Sequence, residues 1–333
     1  MRRLSLLLAV AALLVAACGG EQSPSADAQE SLSGALEELR ASKGLTVDLS
    51  LRSTPESLQA LTAEDGGSIA AEDAQKVLDS SLRISSAMKA RGVPGATEIV
   101  LTVAGREGLE LRSVGKSLYV RADVRHLLES FGQDPAVAAR FVQQAAASGL
   151  DFVGPLVDGR WIALEGFEEA MGHAGGQPAP TAEQKKVLDD LVASFERATT
   201  VTSEGSDDVG EHLVASVSLR DVYEDLEGIA SELAPTTPGG LPSAGEVPDE
   251  RVRIDLWVTD GRLTQVEFDF LQLRDLGDAQ IPEGVAELAL RIRLEDFSGE
   301  VDVPADAVPV HLQEVMQSLF GMAAGTKPAS GGL

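Results

Sequence analysis

Cys18 is the only cysteine in 333 residues, and it closes the stretch Leu13-Leu14-Val15-Ala16-Ala17-Cys18 near the N-terminus. A thiol directly after small residues, at the end of an apolar run, is placed for one chemistry, the bacterial lipobox reaction. The sulfur accepts a diacylglyceryl group, and cleavage then makes Cys18 the new N-terminus. The flanking residues agree: Arg2 and Arg3 form a basic n-region, Leu4 to Val15 an apolar h-region, and Val15-Ala16-Ala17 a small-residue cleavage site. The apolar run is too short to remain as a bilayer span. Two acyl chains, at ~0.8 kcal/mol per buried CH₂, hold far more firmly than a single myristoyl chain. These residues predict an extracytoplasmic protein anchored to the cell membrane through Cys18. The alternative is a soluble secreted protein whose cysteine lies beside its cleavage site by chance.

With Cys18 used as an anchor, no thiol remains for a disulfide, a metal site or a nucleophile. The four histidines, His126, His173, His212 and His311, are scattered without metal-ligand spacing and read as surface or capping residues. There is no Gly-rich phosphate loop, nucleophile elbow or HExxH. Carboxylates are abundant, but nothing singles out a pair for glycoside chemistry. The EDLEG and SDD runs lack the alternating oxygen-ligand spacing of an EF-hand loop and read as solvated faces. Trp161 and Trp257 are too few for a row of sugar-stacking platforms and read as packing residues. The expectation is no enzyme, no metal and no cofactor. The formal charge is −26, and loss of Arg2 and Arg3 with the signal takes the mature chain to −28. Such a surface repels nucleic acid and anionic headgroups.

The elements that must carry any function begin after a polar tether. We expect a signal peptide over 1–17, a lipidated tether over 18–30, a folded domain over 31–322 and a flexible tail over 323–333. The domain breaks at GGQPAPT (175–181), which suggests halves 31–174 and 182–322. SLSGALEELRAS reads as the first helix, with Leu32, Leu36 and Leu39 at helical spacing. GLTVDLSLR alternates Val47, Leu49 and Leu51 with polar residues, which predicts a half-buried antiparallel strand. Further strands are read at LRISSAMK, EIVLTVAG, LELRSVG, SLYVRA, GRWIALEG and EHLVASVSLR. Helices are read at IAAEDAQKVLDSS, DVRHLLESF, AVAARFVQQAAASG, QKKVLDDLVASFERA, DVYEDLEGIASEL and HLQEVMQSLF.

The clearest element is VRIDLWV, a turn at Asp260-Gly261 and LTQVEFDF, followed by the strand ELALRIRLEDF. In three places a strand runs through an Arg and a Ser or Asp into a helix, and the polar residue is placed as an N-cap. Residues 46–61 and 214–229 share Ser50/Ser218, Leu51/Leu219, Arg52/Arg220, Glu56/Glu224 and Leu58/Leu226. An internal duplication and a shared strand-cap-helix grammar both account for this.

Amphipathic strands mixed with amphipathic helices predict an α+β fold: a curved antiparallel β-sheet, or half-barrel, with helices packed on the concave face, built in one reading from two related halves. The signal ending LVAAC, the strand LTVDLSLR, the SLYVRAD unit, GRWIAL and the hairpin RIDLWVTDGRLTQVEFDF resemble the LolA-like lipoproteins of actinobacteria, the LppX and LprG type. That resemblance implies an apolar cavity closed by helices that carries acylated lipids, so a lipid or lipoglycan becomes the expected ligand. It implies no catalytic residue, and only Cys18 transfers as a specific position. The inward sets of the late strands are the candidate lining: Leu256, Val258, Val266, Phe268, Leu290 and Ile292. The competing expectation is a tethered envelope interaction protein, or scaffold, whose half-barrel is filled by its own helices.

Overall fold

The structure is a computed structural model that describes residues 26–63, 67–90, 93–166, 198–218, 220, 221, 224, 250–274 and 281–313. Cys18 and its signal, the GGQPAPT break, His173, the QKKVLDDLVASFERA stripe up to its last residue, most of DVYEDLEGIASEL and most of HLQEVMQSLF lie outside the described residues. The chain resolves into two compact units that interleave along the sequence: Met1–Ser42, Leu49–Ala74 and Pro178–Glu295 form one, and Lys43–Asp48, Gln75–Gln177 and Asp296–Leu333 the other. The fold is α+β, with twelve strands that pair antiparallel except at one edge, and six helices among the described residues.

In the first unit the strand order is β1 (Gly44–Ser53), β11 (Leu288–Asp296), β10 (Arg262–Asp269), β9 (Arg251–Thr259), β8 (Glu211–Ser218) and β7 (Thr199–Ser206). The β9–β10 hairpin closes as expected, with Asp260 at φ 52° and Gly261 at φ 74°, the two left-handed residues of a type I′ turn. Helix α1 (Ala26–Ala41) begins five residues before the expected Ser31. It buries Ala28, Leu32, Ala35 and Leu36 along one stripe, with Asp27 in its first turn and Arg40 in its last to complement the helix dipole. That stripe packs across β7, β9 and β10. Helix α2 (Pro55–Ala63) starts with Pro55 at its first helical position, and Thr54 Oγ1 caps it by accepting the Ser57 amide at 3.1 Å. Buried Ser57 Oγ accepts from the Ala286 and Glu287 amides at 3.0 and 3.2 Å, which ties α2 to the loop before β11.

In the second unit the order is β12 (Val308–His311), β6 (Ile162–Glu165), β5 (Ser117–Ala122), β4 (Arg106–Val114), β3 (Val93–Val103) and β2 (Ser81–Ala90), followed by the N-terminal part of β1. The β3–β4 turn repeats the left-handed pair, with Ala104 at φ 50° and Gly105 at φ 75°. Helix α3 (Ala71–Leu78) leads into β2, and α4 (Val124–Ser130), α5 (Ala136–Ala147) and α6 (Val153–Val157) follow β5. Asp123 caps α4 as expected, accepting the His126 amide at 3.0 Å. The three helices share a small core of Ala138, Ala145, Leu150, Val153 and Val157. Gly44 is required at the start of β1, because a Cβ there would collide with the backbone oxygens of Phe297 and Ser86.

Two strands were not legible in the sequence. β7 carries Thr, Ser and Glu around a single apolar Val201, since it is an edge strand with one point of entry to the core. β12 is four residues long, contains Pro309, and pairs in parallel with β6. His126, expected as a surface or capping residue, is instead buried: it is 6 % exposed, and its Nε2 lies 2.7 Å from the Val103 carbonyl oxygen.

Candidate functional site

Residues directly opposite in a sheet point to the same side, so the strand register assigns every side chain to a face. In the first unit one face carries Leu213, Leu256, Val266 and Ile292 as a cross-strand row. Val201, Ala215 and Ile254 form the next row, and Phe268 pairs with Leu290. Glu211 pairs with Val258 on this face, and Ser31 of α1 donates to Glu211 Oε2 at 2.6 Å, so α1 lies across it. The result is a closed core: Leu213, Ala215 and Ile254 are fully buried, Leu256 and Val266 are 3 % exposed, and Val258 and Phe268 5 %. Four of the six expected lining residues are therefore in contact with protein on nearly every side. Leu290 and Ile292 stay half-buried.

The second unit places its apolar residues with equal regularity and covers them less. One row runs Leu82, Leu101, Leu109 and Ala122; the next runs Ile84, Ile99, Leu111, Val120 and Ile162; a third ends in Leu118 and Leu164. Ala122 and Ile162 are buried, whereas Leu82, Ile84, Ile99, Leu101, Leu109, Leu111, Leu118, Val120 and Leu164 all retain solvent contact. Five strands at about 4.8 Å spacing make this face roughly 19 Å wide. At its β3–β4 end, Gly108 admits Leu127 of α4: a Cβ there would stand 2.6 Å from Leu127 Cδ2. At this end of the sheet a cavity of about 520 Å³ is lined by Leu109 and Ala122 and by the charged Glu107, Glu110, Arg121, Asp123, Arg125 and Asp158, so it is not a continuation of the apolar face.

The opposite face of the same sheet is polar and knit together by ion pairs. Glu110, 4 % exposed, is gripped by Arg121 and by Arg112 at 2.6 Å, and Arg112 also reaches Glu98 at 2.8 Å. Both guanidinium groups lie over the Trp161 ring, 4.8 and 5.0 Å from its centroid. The arginine stems thus act as the lid that leucines would provide elsewhere, and Val100 and Ala163 beneath them are buried. Trp161 is a packing residue, as its sequence context suggested.

On the polar face of the first unit, His212 stacks on Trp257 with centroids 4.6 Å apart and planes 5° from parallel. His212 Nε2 lies 2.9 Å from Asp255 Oδ1, and Trp257 Nε1–H donates to Asp207 Oδ2 at 2.8 Å. Asp207 also accepts the Val209 and Gly210 amides of the β7–β8 turn. The Trp257 bond, then the Val209 amide, hold the Asp207 carboxyl below its ordinary pKa of 3.8, with smaller help from the Gly210 amide and His212. This arrangement fastens a turn and contains no nucleophile. Among the described residues no group of three His, Cys, Asp or Glu could hold a metal ion, and no helix is long and apolar enough to cross a membrane.

No family model matches the chain, and no curated protein matches it in sequence. Among solved structures the chain is similar to the crystal structure of the lipoprotein LppX of Mycobacterium tuberculosis, at 11 % identity and a TM-score of 0.32, over 83 % of this chain and 97 % of that one.

Proposed function

We propose that this chain is an extracytoplasmic lipoprotein, tethered to the cell membrane through lipidated Cys18, that binds a lipid or other hydrophobic ligand against the apolar face of β2–β6. The observation that carries the reading is the incomplete burial of the second unit's apolar face. Its polar face is tied by an arginine–carboxylate lattice, while Ile84, Ile99, Leu111 and Val120 line up in register on the other face and keep contact with solvent. A 16-carbon acyl chain represents roughly 13 kcal/mol of apolar transfer at ~0.8 kcal/mol per CH₂. A wide aliphatic face recovers part of that by replacing water. Of the six late-strand residues, we assign Leu256, Val258, Val266 and Phe268 to packing beneath α1, while Leu290 and Ile292 stay half-buried in the first unit and are not part of the proposed site.

The competing reading is a tethered interaction protein with a filled core, and the closure of the first unit's apolar face by α1 favours it. Native mass spectrometry of the gently purified protein, followed by organic extraction, separates the two. A stoichiometric co-purifying lipid supports the carrier. A clean apo mass, with no uptake when lipid is offered, establishes the filled-core protein. The anchor is tested by Cys18→Ser: membrane retention of that variant without acyl chains would overturn lipidation at Cys18.

A further inference from the structure

We infer that Ser86, Thr97 and Ser113, in register at one end of the apolar face of β2–β6, hold the ester groups of a bound acyl lipid; this rests on the lipid-binding reading above and names what that site recognises. Beyond the two aliphatic rows, Ser86 pairs with Thr97 and Thr97 with Ser113, and the same row continues into Leu118 and Leu164. Directly opposite residues share a face. The three hydroxyls therefore stand on the apolar side, one two-residue step, about 7 Å, along the strands from Ile84, Ile99 and Leu111. They lie by the β4–β5 turn, whereas the charged cavity lies at the other end, by the β3–β4 turn.

These hydroxyls are free to donate. Ser86 Oγ and Thr97 Oγ1 lie 3.2 Å apart, so one O–H bridges the two and the other is unspent. Ser113 is exposed, and its hydroxyl has no hydrogen-bond partner among the described residues. The opposite face of β2 gives the contrast: Ser85, at 4 % exposure, has its Oγ 3.0 Å from Thr46 Oγ1 and spends its hydroxyl inside the sheet. No position in the two aliphatic rows or in the hydroxyl row carries a charge. Within these rows Ser86, Thr97 and Ser113 are thus the side chains able to hydrogen-bond a ligand. Uncharged donors beside an aliphatic surface suit a neutral acceptor attached to a hydrocarbon chain, which is what an ester carbonyl of an acyl lipid is. Each such bond is worth roughly two- to tenfold in affinity.

The test offers the purified full-length protein an equimolar mixture of dipalmitoylglycerol and its dihexadecyl ether analogue, which match in chain length and differ in the two carbonyls. Native mass spectrometry reads which is bound. The parent chain should load the diester over the diether by roughly fivefold. Combining Ser86→Ala, Thr97→Val and Ser113→Ala should bring the two to parity while total loading persists. Ser117→Ala, whose side chain pairs with Val114 on the opposite face, should leave the preference unchanged. Ser113→Ala alone, at an exposed position, should remove part of the preference, and it decides the matter where circular dichroism finds the triple variant unfolded. Equal loading of diester and diether by the parent, or a preference that survives these substitutions, overturns the role of the hydroxyl row and leaves the lipid-binding reading standing. Uptake of neither lipid overturns both.

Discussion

Two sheets' worth of alternating strands in this molecule are written in the same grammar and end in opposite states. In the first unit the row Leu213, Leu256, Val266 is closed under α1, to 3 % exposure or less. In the second unit the row Ile84, Ile99, Leu111 and Val120 is as apolar and as well registered, yet these four keep contact with solvent and only Ile162 at its end is buried. What differs is the lid. A helix with four small and medium apolar residues covers the first face, while the second unit spends its closest coverage on the polar side, where Arg112 and Arg121 lie over Trp161 and Glu110. The lesson is that an amphipathic strand pattern specifies which side must avoid water and leaves open whether protein or ligand does the covering.

Charge insertion is the sharpest way to break this comparison. Leu256→Arg places an unpaired cation where protein surrounds it, and should cost about 4 kcal/mol or more, enough to unfold the first unit in a thermal melt. Ile99→Arg, whose side chain can reach solvent, should leave the melt cooperative and abolish lipid co-purification. If Ile99→Arg unfolds the chain as completely as Leu256→Arg, the second face is core and the proposed site is lost. Truncation gives the graded version. Ile254→Ala, at a fully buried position, should cost about 3–4 kcal/mol, and Leu111→Ala about 1–2 kcal/mol, read from denaturant midpoints at constant slope.

The arginine lid can be tested from its acid. Glu110→Ala removes the buried carboxylate shared by Arg112 and Arg121 and should cost about 2 kcal/mol, less than a buried isolated pair because Arg121 is 40 % exposed and Glu98 still holds Arg112. Freed guanidinium groups should also alter the fluorescence of Trp161; an unchanged spectrum would mean that the cations do not need Glu110 to stay on the ring.

The smallest effect belongs to the turn clasp of the first unit. Asp207 has a folded-state pKa below its ordinary 3.8, so its contribution is fully present above that value and fades as pH falls through the lowered folded value. The stability difference between the parent chain and Asp207→Asn should accordingly shrink below about pH 3.8. A difference that stays constant from pH 6 to pH 2 would show that the Trp257 and amide bonds do not depend on the carboxylate charge.

Much of this architecture was legible because it is local. The Asp260-Gly261 turn, the Asp123 cap and the alternation of β8 to β11 are each dictated by a handful of neighbouring residues. β7 and β12 were not, since an edge strand of Thr and Ser and a four-residue parallel strand with a proline carry no period-two signal. Nor was the role of His126, which looks like any polar residue after an N-cap until Val103 is folded against it.

By itself the sequence determined the caps, the turns, the two-faced strands and the net negative charge, because each follows from residue type and short spacing. Only the tertiary structure decided which apolar face is closed. α1 occupies residues 26–41 and covers strands that begin at residue 199. Burial is settled by such long-range pairings, and nothing in the alternation of Leu256 or of Ile99 says which of them a helix will reach.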